Sequence, residues 1–159
     1  PGVVLLNGRG EEKKLFSAGV YYYSESLSAS DSVVYWSELV TDPRWFLRDY
    51  RVIKAYNIDN GKIRQLTHQT RYYAPSVTRD GRLIAAVEVT SDNKYSLVII
   101  DSKDGSLIKK IDSPYNFLFI HPKLSNPDNN DDKINTRTRV LIERIAKCRR
   151  RNFIDGIVV

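Results

Sequence analysis

A single cysteine, Cys148, among 159 residues excludes an internal disulfide. There are two histidines, His68 and His121, and neither His-x-x-His nor Cys-x-x-Cys spacing, which excludes the common zinc arrangements. Both histidines are expected to be structural, and no metal or other cofactor is expected. No apolar run nears the roughly 20 residues of a membrane-spanning helix; runs such as 97–100 are strand-sized. Gly-x-Ser-x-Gly is absent, and with it the nucleophile elbow of a Ser–His–Asp hydrolase. Gly8-Arg9-Gly10 lacks the spacing and following helix of a phosphate loop. No catalytic residue is therefore expected. Methionine is absent, even at position 1. The chain is accordingly expected to be a processed product or a fragment, and a signal peptide could have preceded Pro1.

What is present favours strands. Ten Tyr, five Phe and two Trp accompany many Val and Ile, side chains that pack well on a pleated surface. The net charge of +6 is unevenly spread. Residues 123–159 hold nine Lys and Arg against five Asp and Glu, whereas residues 1–122 hold sixteen against fourteen. The main body therefore offers no electrostatic reason to expect nucleic acid.

The sequence repeats itself. At an offset of 50, Ser26-Leu27-Ser28 lies over Ser76-Val77-Thr78, Val33-Val34 over Leu83-Ile84, and Glu38 over Glu88. An apolar strand, a polar turn with Gly and a short basic-apolar strand recur three times. The last Gly of each turn falls at 10, 61 and 105. Such turns supply the positive φ that tight hairpins need. A period of about 40–50 residues with four strands per unit is the signature of propeller blades. Apolar residues at consecutive positions in 83–87 and 97–100 imply sheets covered on both faces, as blades are.

The reading is all-β: antiparallel four-stranded propeller blades in an incomplete ring, followed by a short basic helical or disordered tail. Residues 1–19 end a preceding blade. A blade at 20–67 has strands at 21–28, 33–39, 50–58 and 62–67. A second blade at 68–112 has strands at 74–78, 82–90, 95–101 and 106–111. A further blade starts in 113–129, from His121-Pro122-Lys123-Leu124-Ser125. Residues 130–159 are not propeller-like: Val140, Leu141, Ile145 and Cys148 suit one helix face, and composition turns Arg-rich.

Pro75-Ser76-Val77-Thr78-Arg79-Asp80-Gly81-Arg82-Leu83-Ile84-Ala85 resembles the blade-opening motif of TolB-like β-propellers. Ile58-Asp59-Asn60-Gly61, then Arg64-Gln65-Leu66-Thr67, resembles their blade-closing motif. Arg79 stands where that family usually has Pro, and Asn60 where it usually has Thr. The resemblance implies a six-bladed ring with a binding or scaffolding role in a periplasmic or cell-envelope setting. It implies no catalytic residue here.

Three functional readings follow. The first is a non-catalytic segment for protein or ligand binding within a larger bacterial protein, its partners being another protein or the remaining blades. The second is the gating propeller of a prolyl-oligopeptidase-like hydrolase whose catalytic domain is absent. The third is nucleic-acid binding through the tail, where 137–151 carries seven basic residues and one Glu; a solvated basic helix is the simpler account. Asp128, Asp131 and Asp132 lack EF-hand spacing and are expected to form a solvated loop. The candidate binding surface is Trp36, Arg44, Trp45, Arg48, Arg71, Tyr72 and Tyr73, because Trp, Tyr and Arg dominate interface hot spots. The insert at 41–50 lengthens the loop of one blade only.

Overall fold

The computed structural model describes residues 2–20, 27–45, 48–119 and 122–124. The expected helix and tail at 130–159, the acidic loop and His121 lie outside these residues. Ten strands follow one another: β1 Gly2–Leu6, β2 Glu12–Ser17, β3 Ser28–Ser30, β4 Val33–Thr41, β5 Asp49–Asn57, β6 Ile63–Gln65, β7 Tyr72–Val77, β8 Leu83–Val89, β9 Tyr95–Asp101 and β10 Leu107–Asp112. There is no helix among the described residues. β1 and β2 form a ribbon, β3-β4-β5-β6 one four-stranded antiparallel sheet, and β7-β8-β9-β10 another.

The turns explain the strands. Gly10, Gly61 and Gly105, the three repeated turn glycines, have φ of 80°, 67° and 78°. That region costs an L side chain roughly 1–2 kcal/mol, so a glycine there fixes where each hairpin reverses. Asp31, Gly81 and Asn93 take positive φ in the β3–β4, β7–β8 and β8–β9 hairpins.

Burial follows the strand alternation. Tyr35, Ile53, Ala55 and Leu66 of the first sheet meet Tyr72, Ile84, Ala86, Val98 and Ile100 of the second in one core. Each large apolar side chain so buried stabilises by about 1.5–3 kcal/mol. Val34, Trp36 and Tyr56 point the other way, onto Phe16 and Ala18 of the preceding ribbon. The Phe16 ring lies 4.5 Å from Trp36 and 4.6 Å from Tyr56. Ala85, Val87, Leu97 and Ile99, alternating with the core residues of the second sheet, are buried as well. Both faces of that sheet are out of water, as its unbroken apolar runs imply.

One register differs from expectation. Ser76 pairs with Ala85, and Ser28 with Tyr35. The structural counterpart of Ser76-Val77-Thr78 is therefore Ser28-Ala29-Ser30, two residues later than the offset of 50 places it. Ser76 lies nine residues before its partner and Ser28 seven before its own, and this two-residue difference across the turn accounts for the slip. The expected strand at 21–28 falls mostly outside the described residues; β3 begins at Ser28.

The two sheets are joined by polar contacts as well as by the core. Ser28 Oγ accepts the Val77 N–H (2.8 Å), and Ser30 donates to the Arg79 carbonyl (2.8 Å). Ser37 donates to the Tyr72 carbonyl (2.9 Å). The Arg64 guanidinium donates to the carbonyls of Lys103 (2.7 Å) and Ser102 (3.0 Å). The Leu-Thr pair of the blade-closing motif has two tasks. Leu66 enters the core, and Thr67 Oγ1 accepts the Ile53 N–H at 2.9 Å, extending the ladder beyond β6. Thr67 Oγ1 also meets Thr70 Oγ1 at 2.9 Å, and Thr70 donates to the Arg51 carbonyl.

Candidate ligand-binding end of the blades

Antiparallel reversal collects the β4–β5 loop, the β6–β7 connection, the β8–β9 loop and the segment after β10 at one end of the blades. The β4–β5 hairpin is the longer of the two equivalents, with strands of nine residues against seven in β8 and β9. Its loop is braced from within. Asp42 Oδ1 accepts the Arg44 N–H (2.9 Å) and Oδ2 accepts the Tyr50 hydroxyl (3.1 Å). The Asp42 N–H donates to the Arg48 carbonyl and the Arg48 N–H to the Trp45 carbonyl. The Arg44 N–H bond, with those from Tyr50 and Trp45, holds the Asp42 carboxyl below the ordinary aspartate value against the desolvation that acts to raise it. This carboxylate is an architectural group with its acceptors engaged.

Trp45 stands on this braced loop 62% exposed, flanked by exposed Arg44 and Arg48. The Arg48 guanidinium lies 5.7 Å from the Tyr50 ring centroid. Arg71 and Tyr73 are half-buried beside the β6–β7 connection. Arg51 links the two segments: its N–H donates to the Thr70 carbonyl, and its guanidinium lies 5.3 Å from the Tyr73 ring. Two members of the sequence-derived set do not belong to a surface. Trp36 (1% exposed) and Tyr72 (7%) fill the two cores. Their strand alternation turns them inward. Burial, reinforced by Glu88 and partly offset by Lys110, raises the Tyr72 phenol.

Below Trp36, Glu38 is buried and accepts from the Trp36 indole (3.0 Å), the Gly19 N–H (3.1 Å) and Lys54 (2.5 Å). Burial alone would raise its pKa; these three partners outweigh burial and leave it below the ordinary glutamate value.

Two clefts open at this end, in equivalent positions of successive blades. The first, about 300 Å³, lies between the β4–β5 loop and the β6–β7 connection, with Asp42, Arg44, Tyr50, Gln65, His68 and Gln69 among its lining. The second, about 550 Å³, lies between the β8–β9 loop and the segment after β10. Gln69 and Asn116 occupy matching places in them, both with positive φ (52° and 53°). Asn116 clamps the second by accepting the Tyr95 N–H and donating to the Asn93 carbonyl. His68, expected as a structural histidine, is exposed on the first cleft, its Nδ1 3.0 Å from the Gln65 amide nitrogen. Sequence reading missed Asp42, Gln65, His68 and Gln69 as cleft residues; the one available signal is that Pro122-Lys123-Leu124-Ser125 resembles Pro75-Ser76-Val77-Thr78, a match that sets Asn116 against Gln69. No group of metal-ligating side chains occurs among the described residues.

Sequential four-stranded antiparallel sheets, packed face to face and repeated along the chain, define propeller blades, here in an incomplete ring. Among solved structures the chain is similar to the acylaminoacyl peptidase of Pyrococcus horikoshii, with TM-score 0.46 and 16% identity over 56% of this chain and 14% of that one. It is also similar to the β-propeller domain of the Trilobed protease from Pyrococcus furiosus, with TM-score 0.27 and 9% identity over 69% of this chain and 51% of that one. The chain thus spans 14% and 51% of the lengths of these two proteins. No protein-family model and no curated protein sequence matches it.

Proposed function

We propose that this chain is a non-catalytic binding segment of a larger, TolB-like β-propeller protein of the bacterial cell envelope, and that it engages its partner through the loop end of its blades. The observation that carries the reading is Trp45, 62% exposed on a loop whose backbone is fixed by Asp42 and Tyr50. An exposed Trp flanked by Arg offers large contact area with few rotatable bonds to fix on binding. The non-catalytic part of the reading is supported by the sequence, which has no nucleophile elbow.

The test is photo-crosslinking from position 45 in the full-length protein, in an extract of its source organism. A discrete adduct at 45, weakened by Arg48→Ala and absent when the probe sits at exposed position 109, is the expected result. Equal crosslinking from both positions would remove the case for this surface. Fractionation placing the full-length protein in the cytosol would remove the envelope setting. The chain is expected to hydrolyse neither peptide nor ester substrates.

A further inference from the structure

The two equivalent clefts differ in how their charges are spent. In the second, Lys94 pairs with Asp92 (2.8 Å), Lys110 with Glu88 (2.7 Å), and Asp112 accepts the Ser96 hydroxyl (2.8 Å). Every charged group lining it is met from within the chain. In the first, the sole carboxylate is Asp42, whose two oxygens are taken by the Arg44 N–H and the Tyr50 hydroxyl. Gln65 uses its amide on the Thr67 carbonyl and on His68 Nδ1. With Nδ1 accepting, the imidazole carries its proton on Nε2. The cleft keeps two donors, the Arg44 guanidinium, whose charge also acts on Asp42, and the His68 Nε2–H, beside the Gln69 amide, which offers a donor and an acceptor. Val40, Pro43 and Val52 give its lining apolar surface, and Thr41 completes it.

Resting on the binding role proposed above, we infer that the first cleft takes a carboxylate carried on an apolar stem, the acidic end of a peptide segment. Its stem lies along Val40, Pro43 and Val52, and its oxygens meet Arg44 and His68. A planar guanidinium matches a carboxylate with two parallel hydrogen bonds. At about 300 Å³ the cleft stands at the small end of ligand-binding clefts, with room for one acidic side chain and its stem. The carboxylate has two sources in a peptide, a Glu side chain or a free C-terminus, and the chemistry at Arg44 is the same for both.

Three tripeptides titrated onto the chain distinguish the outcomes by calorimetry and by NMR of the His68 ring. They are Glu-Glu-Glu with both ends blocked, Gln-Gln-Gln with both ends blocked, and Gln-Gln-Gln with a free C-terminus. The blocked Glu peptide is expected to bind at least about tenfold more tightly than the blocked Gln peptide, a difference of about 1.4 kcal/mol. Arg44→Gln removes that preference, whereas Arg82→Gln, at the opposite end of the blades, leaves it. Tight binding by the free C-terminus alone identifies the terminal carboxylate as the source and still supports the cleft. Equal binding of all three peptides, or binding of none, overturns the proposal. If both blocked peptides bind equally and Trp45→Ala weakens both, the carboxylate specificity falls while the binding surface stands.

Discussion

Gly105 of the second blade approaches the first so closely that a Cβ on it would stand 2.1 Å from the Leu66 carbonyl oxygen. The same residue has φ +78°. Two constraints that usually act separately, a left-handed backbone and a lack of room, meet at one position between the blades.

Gly105→Ala is therefore expected to cost roughly 2–4 kcal/mol in chemical denaturation, a strained φ plus a backbone shift at the blade interface. Gly10→Ala supplies the comparison. Its φ is +80° but nothing lies within 4 Å of its Cβ position, so the loss should be about 1–2 kcal/mol. Equal losses would show that the blades yield freely at Leu66.

Thr67→Val keeps shape and removes the hydroxyl that accepts the Ile53 N–H. With Thr67 4% exposed and Ile53 fully buried, that N–H has no water to turn to. The expected loss is about 1–3 kcal/mol, with faster hydrogen exchange at Ile53. Thr67→Ser should recover most of it.

Acid should release the Glu38 cluster. The folded-state pKa of Glu38 lies below its ordinary value, so its contribution is complete above the unfolded glutamate pKa of about 4.3. It is lost as pH falls through the lower folded value. Glu38→Gln should reduce stability at neutral pH, roughly 1–3 kcal/mol through the bonds lost to Lys54 and Trp36. It should also flatten the decline below pH of about 4. A variant with the wild-type acid slope would assign that slope to other carboxylates.

The two tryptophans should report separately. Trp36 is 1% exposed and Trp45 62% exposed. Acrylamide should quench Trp45 and spare Trp36, so Trp45→Phe should leave a blue-shifted, quencher-resistant emission. Trp36→Ala should cost roughly 3–5 kcal/mol. Strong quenching of the Trp45→Phe protein would contradict the packing of Trp36 on Phe16.

Much of the fold was legible because glycine and apolar alternation speak locally. Gly10, Gly61 and Gly105 could be read as reversals, since other residues rarely tolerate that φ. The runs 83–87 and 97–100 could be read as strands covered on both faces. The slip at the first strand was not legible. Ser24, Ser26, Ser28 and Ser30 recur at every second position, and a shift of two leaves every side chain on its own face. Only the length of the following turn decides between these registers. The candidate site was half legible. Trp45 and its arginines stood out as an insert, but Trp36 and Tyr72 share their composition and are buried by strand phase. Gln69 and His68 had no composition to mark them, because their place depends on a non-glycine residue with positive φ.

The polar joints between the two blades share one property. Ser30, Ser37 and Arg64 all donate to main-chain carbonyls, and Ser28 accepts from a main-chain N–H. The neighbour's contribution is thus its backbone trace, whatever side chains it carries. One blade can change sequence across these positions without a matching change in the other, so the joint stays compatible with copies that have diverged. A duplicated unit inherits a working connection from the start, and its loop end is free to acquire a different specificity.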